Sequence, residues 1–259
     1  MAQLKITLLQ SEIMWEDPAA NLAHYGELLD KMVEPTDLII LPEMFTTGFT
    51  MNPAPYAEEM GGLGMLWMAN QAKRWKAAVV GSLIIKEKGE YYNRLIWMES
   101  DGKYQTYDKR HLFAMAGEHE HYAAGTERLI IDYNGWRICP MICYDLRFPV
   151  WSRNDDAYDL LIYTANWPNK RAYDWMTLLR ARAIENQCYV AAVNRIGTDV
   201  NGHEYNGDSC VIDPGWRHVL WHAKNDPVVK TVTLTAEHLM EVRSRLPFLQ
   251  DRDQFTIQP

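Results

Sequence analysis

The chain has 259 residues, with 26 Lys and Arg against 34 Asp and Glu, a formal charge of −8. With 47% apolar and 23% charged residues it has an ordinary globular composition, long enough for a sizeable core, which excludes wholesale disorder and collagen-like structure. The acidic balance argues against a general nucleic-acid binder, and no stretch approaches the roughly 20 apolar residues of a membrane helix. Lys5 and Glu12 interrupt the first apolar run, and Trp15-Glu16-Asp17-Pro18 follows it, so the N-terminus does not read as a signal peptide. Four Cys are too few for a disulfide scaffold, and reduced thiols in a cytoplasmic protein are expected.

Residues 4–10 read as an opening strand, and Pro18 with Asn21 marks a helix entry. Leu22, Tyr25, Leu28, Leu29 and Met32 recur at helical spacing, which predicts an amphipathic helix over 19–32. The apolar run 38–41 predicts a strand buried on both faces; a second helical stretch through Met65, Met68, Ala69, Ala72 and Trp75 leads to another strand at 77–85. This β-α-β-α-β order implies helices packed over a sheet. Asp101-Gly102 lies between strand patterns 91–98 and 104–107, and Asn134-Gly135 between 129–133 and 136–143. Both are hairpin signals, because such turns need residues that tolerate positive φ. A buried strand at 160–163, a helix at 173–186 and a strand at 189–193 follow. Strands near Val211 and at 228–234, a short helix from Ala236 and a tail from Pro247 close the chain. No repeat or linker divides it, so one domain over 1–259, with 247–259 as a tail, is expected. The mixed parallel and hairpin character predicts sheet packed on sheet with helices outside.

Cys143 ends an apolar strand and begins the polar run Cys143-Tyr144-Asp145-Leu146-Arg147. A thiol at a strand end can project into a cleft beside its neighbour's N–H, as an acyl-transfer nucleophile requires; a buried core thiol is the competing reading. Cys139, Cys188 and Cys210 sit within apolar patterns and read as core. Glu43 follows a buried strand through Pro42, ahead of an apolar and small segment; desolvation there would make it a usable base, and an exposed strand-end carboxylate is the alternative. Lys109 lies in Asp108-Lys109-Arg110, which reads either as a solvated turn or as a source of an oxyanion-stabilising ammonium. Glu118-His119-Glu120-His121 offers metal-ligand types but lacks the helical spacing that would aim two His at one ion, so a polar loop is expected. A papain-like Cys–His pair fits poorly, because Cys139-Pro140-Met141-Ile142 lacks that signature. A Cys139–Cys143 disulfide fails on distance, since positions four apart on a strand are about 13 Å apart.

Three segments together resemble the nitrilase (carbon–nitrogen hydrolase) superfamily: Leu41-Pro42-Glu43-Met44-Phe45, Tyr107-Asp108-Lys109-Arg110-His111-Leu112-Phe113 and Ile142-Cys143-Tyr144-Asp145-Leu146-Arg147-Phe148-Pro149. Further matches are Tyr163-Thr164-Ala165-Asn166-Trp167-Pro168, Ala181-Arg182-Ala183-Ile184-Glu185-Asn186-Gln187 and Gly207-Asp208-Ser209, in the family's order over nearly the whole chain. The form Cys-Tyr-Asp-Leu-Arg-Phe-Pro with Asn-Trp-Pro downstream is most similar to bacterial omega-amidases. The resemblance implies an α/β fold, a four-layer α-β-β-α sandwich, a homodimer paired through its α faces, and no metal or organic cofactor. It also implies Cys143 as nucleophile, Glu43 as general base and Lys109 as oxyanion stabiliser with the Tyr144 N–H. Glu118 would hold Lys109 and touch the leaving nitrogen, and Asp145 with Arg147 would brace the nucleophile loop. The implied activity is hydrolysis of 2-oxoglutaramate and short omega-amides, some produced by transaminases linked to methionine salvage. Other amidase branches, acting on deaminated glutathione or N-carbamoyl amino acids, and a non-catalytic binding protein of the same fold are the alternatives. The partner is thus a small amide carrying a carboxylate, neither nucleic acid nor membrane. A local cation must hold that carboxylate against the −8 charge. Arg171 is the candidate, although a solvent-facing role is equally compatible with its position, and Arg195 is the reserve. Phe45, Tyr144 and Trp167 are expected to form an apolar wall. Lys109→Ala is expected to spare the fold and lose most turnover.

Overall fold

Alternation of side chains along the strands decides how the layers stack. A computed structural model describes residues 2–215 and 219–257 of the protein. The first sheet is built from β1 (Gln3–Gln10), β2 (Leu38–Ile40), β3 (Ala78–Glu87), β4 (Glu90–Met98) and β5 (Tyr104–Asp108). Leu38 and Ile40 enter a core shared with the second sheet, whereas Ile39 and Leu41 pack under the helices α1 (Pro18–Asp30) and α2 (Leu63–Trp75). One face therefore meets a sheet and the other a pair of helices, which is why the run 38–41 carries no polar residue. Asp17 starts α1 by accepting from the Ala20 N–H at 3.0 Å, with Pro18 in the first turn.

The second sheet contains β6 (Ile131–Tyr133), β7 (Trp136–Ile142), β8 (Leu160–Ala165), β9 (Tyr189–Asn194), β10 (Ile196–Thr198), β11 (Glu204–Ile212) and β12 (Val219–Lys224). A short helix, α3 (Glu118–His121), precedes it, and α4 (Ala172–Asn186) covers its outer face through Trp175, Leu179 and Ala183. β13 (Val228–Thr235) returns to pair antiparallel with β1 and closes the first sheet in the order β13-β1-β2-β3-β4-β5. It is followed by α5 (Ala236–Arg245). The layers run helix, sheet, sheet, helix, as expected, with parallel centres β1-β2-β3 and β7-β8-β9 and antiparallel neighbours.

The hairpin turns hold: Gly102, Asn134 and Gly135 all have positive φ. Two expectations change. Residues 118–121 form the single turn α3 rather than a loop, because Gly117, with φ +76, reverses the chain just before Glu118. Strands β10 and β12 escape the sequence reading because each pairs along one side only with β11 and carries no continuous apolar run.

Candidate active site

β2, β5 and β7 deliver Glu43, Lys109 and Cys143 just beyond their ends, and β8 brings Asn166 beside them. Glu43 is fully buried. Its Oε1 accepts from Lys109 Nζ at 2.8 Å and from Asn93 Nδ2 at 2.8 Å, and its Oε2 accepts from the Asn166 N–H at 2.9 Å. Asn166 Nδ2 also donates to the Glu43 carbonyl at 2.7 Å. Lys109 reaches Glu118 at 2.9 Å on both oxygens, and the Phe113 N–H donates to Glu118 Oε2 at 2.5 Å. One ammonium thus holds two buried carboxylates, from the β2 and α3 sides.

The titration behaviour follows from that packing. Burial disfavours the Lys109 cation, but Glu118, then Glu43, outweigh it and hold the amine protonated. Burial pushes the Glu118 carboxyl up, against the pull of Lys109, and the Glu43 charge adds to the rise. Burial also pushes the Cys143 thiol far up, Glu43 reinforces this, and Lys109 opposes it. The resting side chain is therefore a thiol beside a carboxylate.

Cys143 has φ +41, a left-handed conformation that costs a residue with a Cβ, as does Met44 at φ +43 immediately after Glu43. The turn is pinned from below. Asp145, fully buried, accepts from Tyr107 Oη at 2.7 Å and from the N–H groups of Ile142 at 3.1 Å and His111 at 3.0 Å. Arg182 Nη2 donates to the Leu146 carbonyl at 2.6 Å. Asp145 does brace the turn at Cys143. Arg147 does not: it faces the cavity, pairs with Asp174 at 2.7 Å and lies 4.9 Å over the Trp167 ring.

Above Cys143 and Lys109 opens a cavity of about 640 Å³. Tyr144 and Trp167 line it as expected, and so does Arg171, whose guanidinium lies 5.1 Å over Phe113. Phe45 does not. It is fully buried beneath the first sheet, edge-on to Tyr25 at 5.7 Å and tilted on Trp67, because the left-handed turn at Met44 sends the next side chain into the helix-side core. Arg195 is also misplaced as a reserve cation. It is 1% exposed behind the wall, donates to the Ile13 carbonyl at 3.1 Å and lies 4.7 Å over Tyr205. His119, Glu120 and His121 face solvent while Glu118 turns inward, so the metal-ligand cluster is split between two environments. Cys139, Cys188 and Cys210 are buried, and burial pushes the Cys139 and Cys210 thiols up to about 12.

Sequence reasoning missed Asn93, Asn166 and the far wall of Asp199, His203 and Tyr205. Asn93 carried a signal. It shares the parity of Leu95 and Trp97, which face the inter-sheet core, and Asn is depleted in strands.

A helix-sheet-sheet-helix sandwich with a thiol, a carboxylate and an ammonium converging at strand ends defines a class of hydrolase, and residues 5–244 match the family Carbon-nitrogen hydrolase. The chain belongs to the carbon–nitrogen hydrolase family. It is 46% identical to a protein named omega-amidase YafV from Yersinia enterocolitica, over 99% of this chain and 100% of that one. It is 33% identical to the 2-oxoglutaramate amidase of Bacillus subtilis, over 95% of this chain and 96% of that one. Among solved structures, a CN-hydrolase superfamily protein from Xanthomonas campestris with an arsenic adduct in its active site is 47% identical, with a TM-score of 0.96 and full coverage of both chains.

Proposed function

We propose that the protein is an omega-amidase that hydrolyses 2-oxoglutaramate, and short relatives such as 2-oxosuccinamate, to the dicarboxylic acid and ammonia through a thioester on Cys143. The observation that carries the substrate reading is the charge of the cavity: Arg147, Lys170 and Arg171 line one side of it, although the whole chain is at −8. Arg171 makes no ion pair among the described residues, so its guanidinium is available to a carboxylate. Full-length likeness to proteins named omega-amidase and 2-oxoglutaramate amidase supports the same reading.

The chemistry follows from the order of the side chains. Glu43 takes the Cys143 proton as sulfur attacks the amide carbon, and the carbonyl oxygen becomes an oxyanion. Lys109 Nζ and the Tyr144 N–H stabilise it; the ammonium stays charged throughout because Glu118 and Glu43 keep it so. Glu43 passes the proton to nitrogen, the C–N bond breaks, and ammonia leaves a thioester. Water then gives a proton to Glu43 and its oxygen to the acyl carbon, and the acid and the thiol are restored. Glu118 keeps Lys109 in register and lies beside the path of the leaving nitrogen. Trp167 and Tyr144 limit the acyl chain, and Arg171 receives its far carboxylate.

Placement after a glutamine-using transaminase, including the one linked to methionine salvage, belongs to this reading, as does a cytoplasmic homodimer. Exposed Tyr173 and Ile184 on α4 support pairing through that helical face. Ammonia release from 2-oxoglutaramate is the test. Inactivity there, with turnover of deaminated glutathione or an N-carbamoyl amino acid, moves the protein to another branch.

A further inference from the structure

Two carboxylates that share one buried ammonium face a problem the family triad does not solve by itself. Close acidic groups without enough donors take up a shared proton, and that proton resting on Glu43 would remove it as a base. Beneath the cavity lies one more donor group. Asn93, fully buried on β4, directs its single amide nitrogen at both carboxylates, 2.8 Å from Glu43 Oε1 and 3.3 Å from Glu118 Oε1. The main chain fixes it there, since the Lys109 N–H donates to the Asn93 carbonyl at 3.0 Å.

From this geometry we infer that Asn93 is a positioning residue that holds Glu43 ionised for the reaction by giving one amide hydrogen to each carboxylate. The orientation of the amide is set by the carboxylates: with nitrogen and oxygen exchanged, the side-chain carbonyl would face two anions. The fold accepts a cost for it. Asn93 Oδ1 is buried without a hydrogen-bond partner, an arrangement that stability alone disfavours. The titratable groups facing Glu43 are Lys109 from β5, Glu118 from α3 and Cys143 from the end of β7, with Tyr122 close by. Of these, Lys109 and the Cys143 thiol donate to Glu43 in the resting state, and the Asn93 hydrogen adds a donor that stays in place when the thiol proton moves, opposite the Asn166 N–H.

The inference rests on Glu43 being the base, and its test separates the two. In Asn93→Leu the carboxylates lose both hydrogens at similar volume; in Asn93→Ser one hydroxyl hydrogen can serve only one of them. Turnover of 2-oxoglutaramate and alkylation of Cys143 by iodoacetamide are followed against pH in the full chain. The expected result for Asn93→Leu is a kcat about tenfold lower on the acid limb, with the difference closing as the pH rises above it. The acid limb should move upward by about one pH unit, because Glu43 becomes easier to protonate. KM should stay within about twofold, and Asn93→Ser should fall between. If Asn93→Leu does not fold, the Ser variant and the alkylation profile decide. An acid limb that stays in place, whether activity is unchanged or lowered equally at every pH, overturns the inference. A Glu43→Gln variant that still turns over overturns the base assignment itself, and the role of Asn93 with it.

Discussion

The floor and the mouth of the cavity are built on different principles. At the floor and beneath it, Lys109, Glu43, Glu118 and Asn93 are buried and fixed by charge-assisted hydrogen bonds of 2.8–3.3 Å. Such a set is preorganised: its dipoles and charges already stand where the proposed mechanism puts the oxyanion. At the mouth, Arg147 and Arg171 lie on aromatic rings and are part-exposed, and only Arg147 has a carboxylate partner. Screening by water lowers what each contact there contributes. The floor should therefore control the rate and the mouth the choice of substrate.

Variants can break that division, beginning with the largest effect. Cys143→Ala should reduce ammonia release to the uncatalysed background without loss of fold; turnover that survives would end the thioester account. Lys109→Ala should cost ~10²–10³ in kcat, as loss of an oxyanion donor does. It should not spare the fold, contrary to what the sequence suggests, because two buried carboxylates lose their shared cation; denaturant unfolding should report a loss of about 3–5 kcal/mol. Arg171→Ala should raise KM for 2-oxoglutaramate about tenfold with kcat nearly unchanged, and leave an uncharged amide unaffected. A fall in kcat instead would place Arg171 with the floor. Phe45→Leu should leave both constants in place and lower only stability, by about 1 kcal/mol, as a core substitution does. A raised KM in that variant would return Phe45 to the cavity wall.

The layers and the three converging residues were legible because strands announce themselves by apolar runs and because Glu43, Lys109 and Cys143 each follow one. Phe45 was misread because its chain neighbour Met44 has a left-handed backbone that no composition signal marks, and a one-residue change of direction moves a side chain to the other face. Arg147 was misread for a related reason: the turn after Cys143 could aim it inward or outward, and only its pairing with Asp174, on a helix that begins 25 residues further on, decides. The wall at Asp199 and His203 comes from the turn between β10 and β11, a hairpin whose approach to Cys143 is a property of the sheet order and of no local segment.

The central claim is a covalent acyl group on Cys143, reached through a thiol that gives its proton to Glu43. Intact-mass spectrometry of protein quenched during turnover of 2-oxoglutaramate tests it most directly. The account predicts an added mass equal to the acyl fragment after loss of ammonia, mapped to Cys143 and absent in Cys143→Ala. Steady release of ammonia with no adduct at any time of quenching, and with a Cys143→Ala variant that remains active, would contradict it.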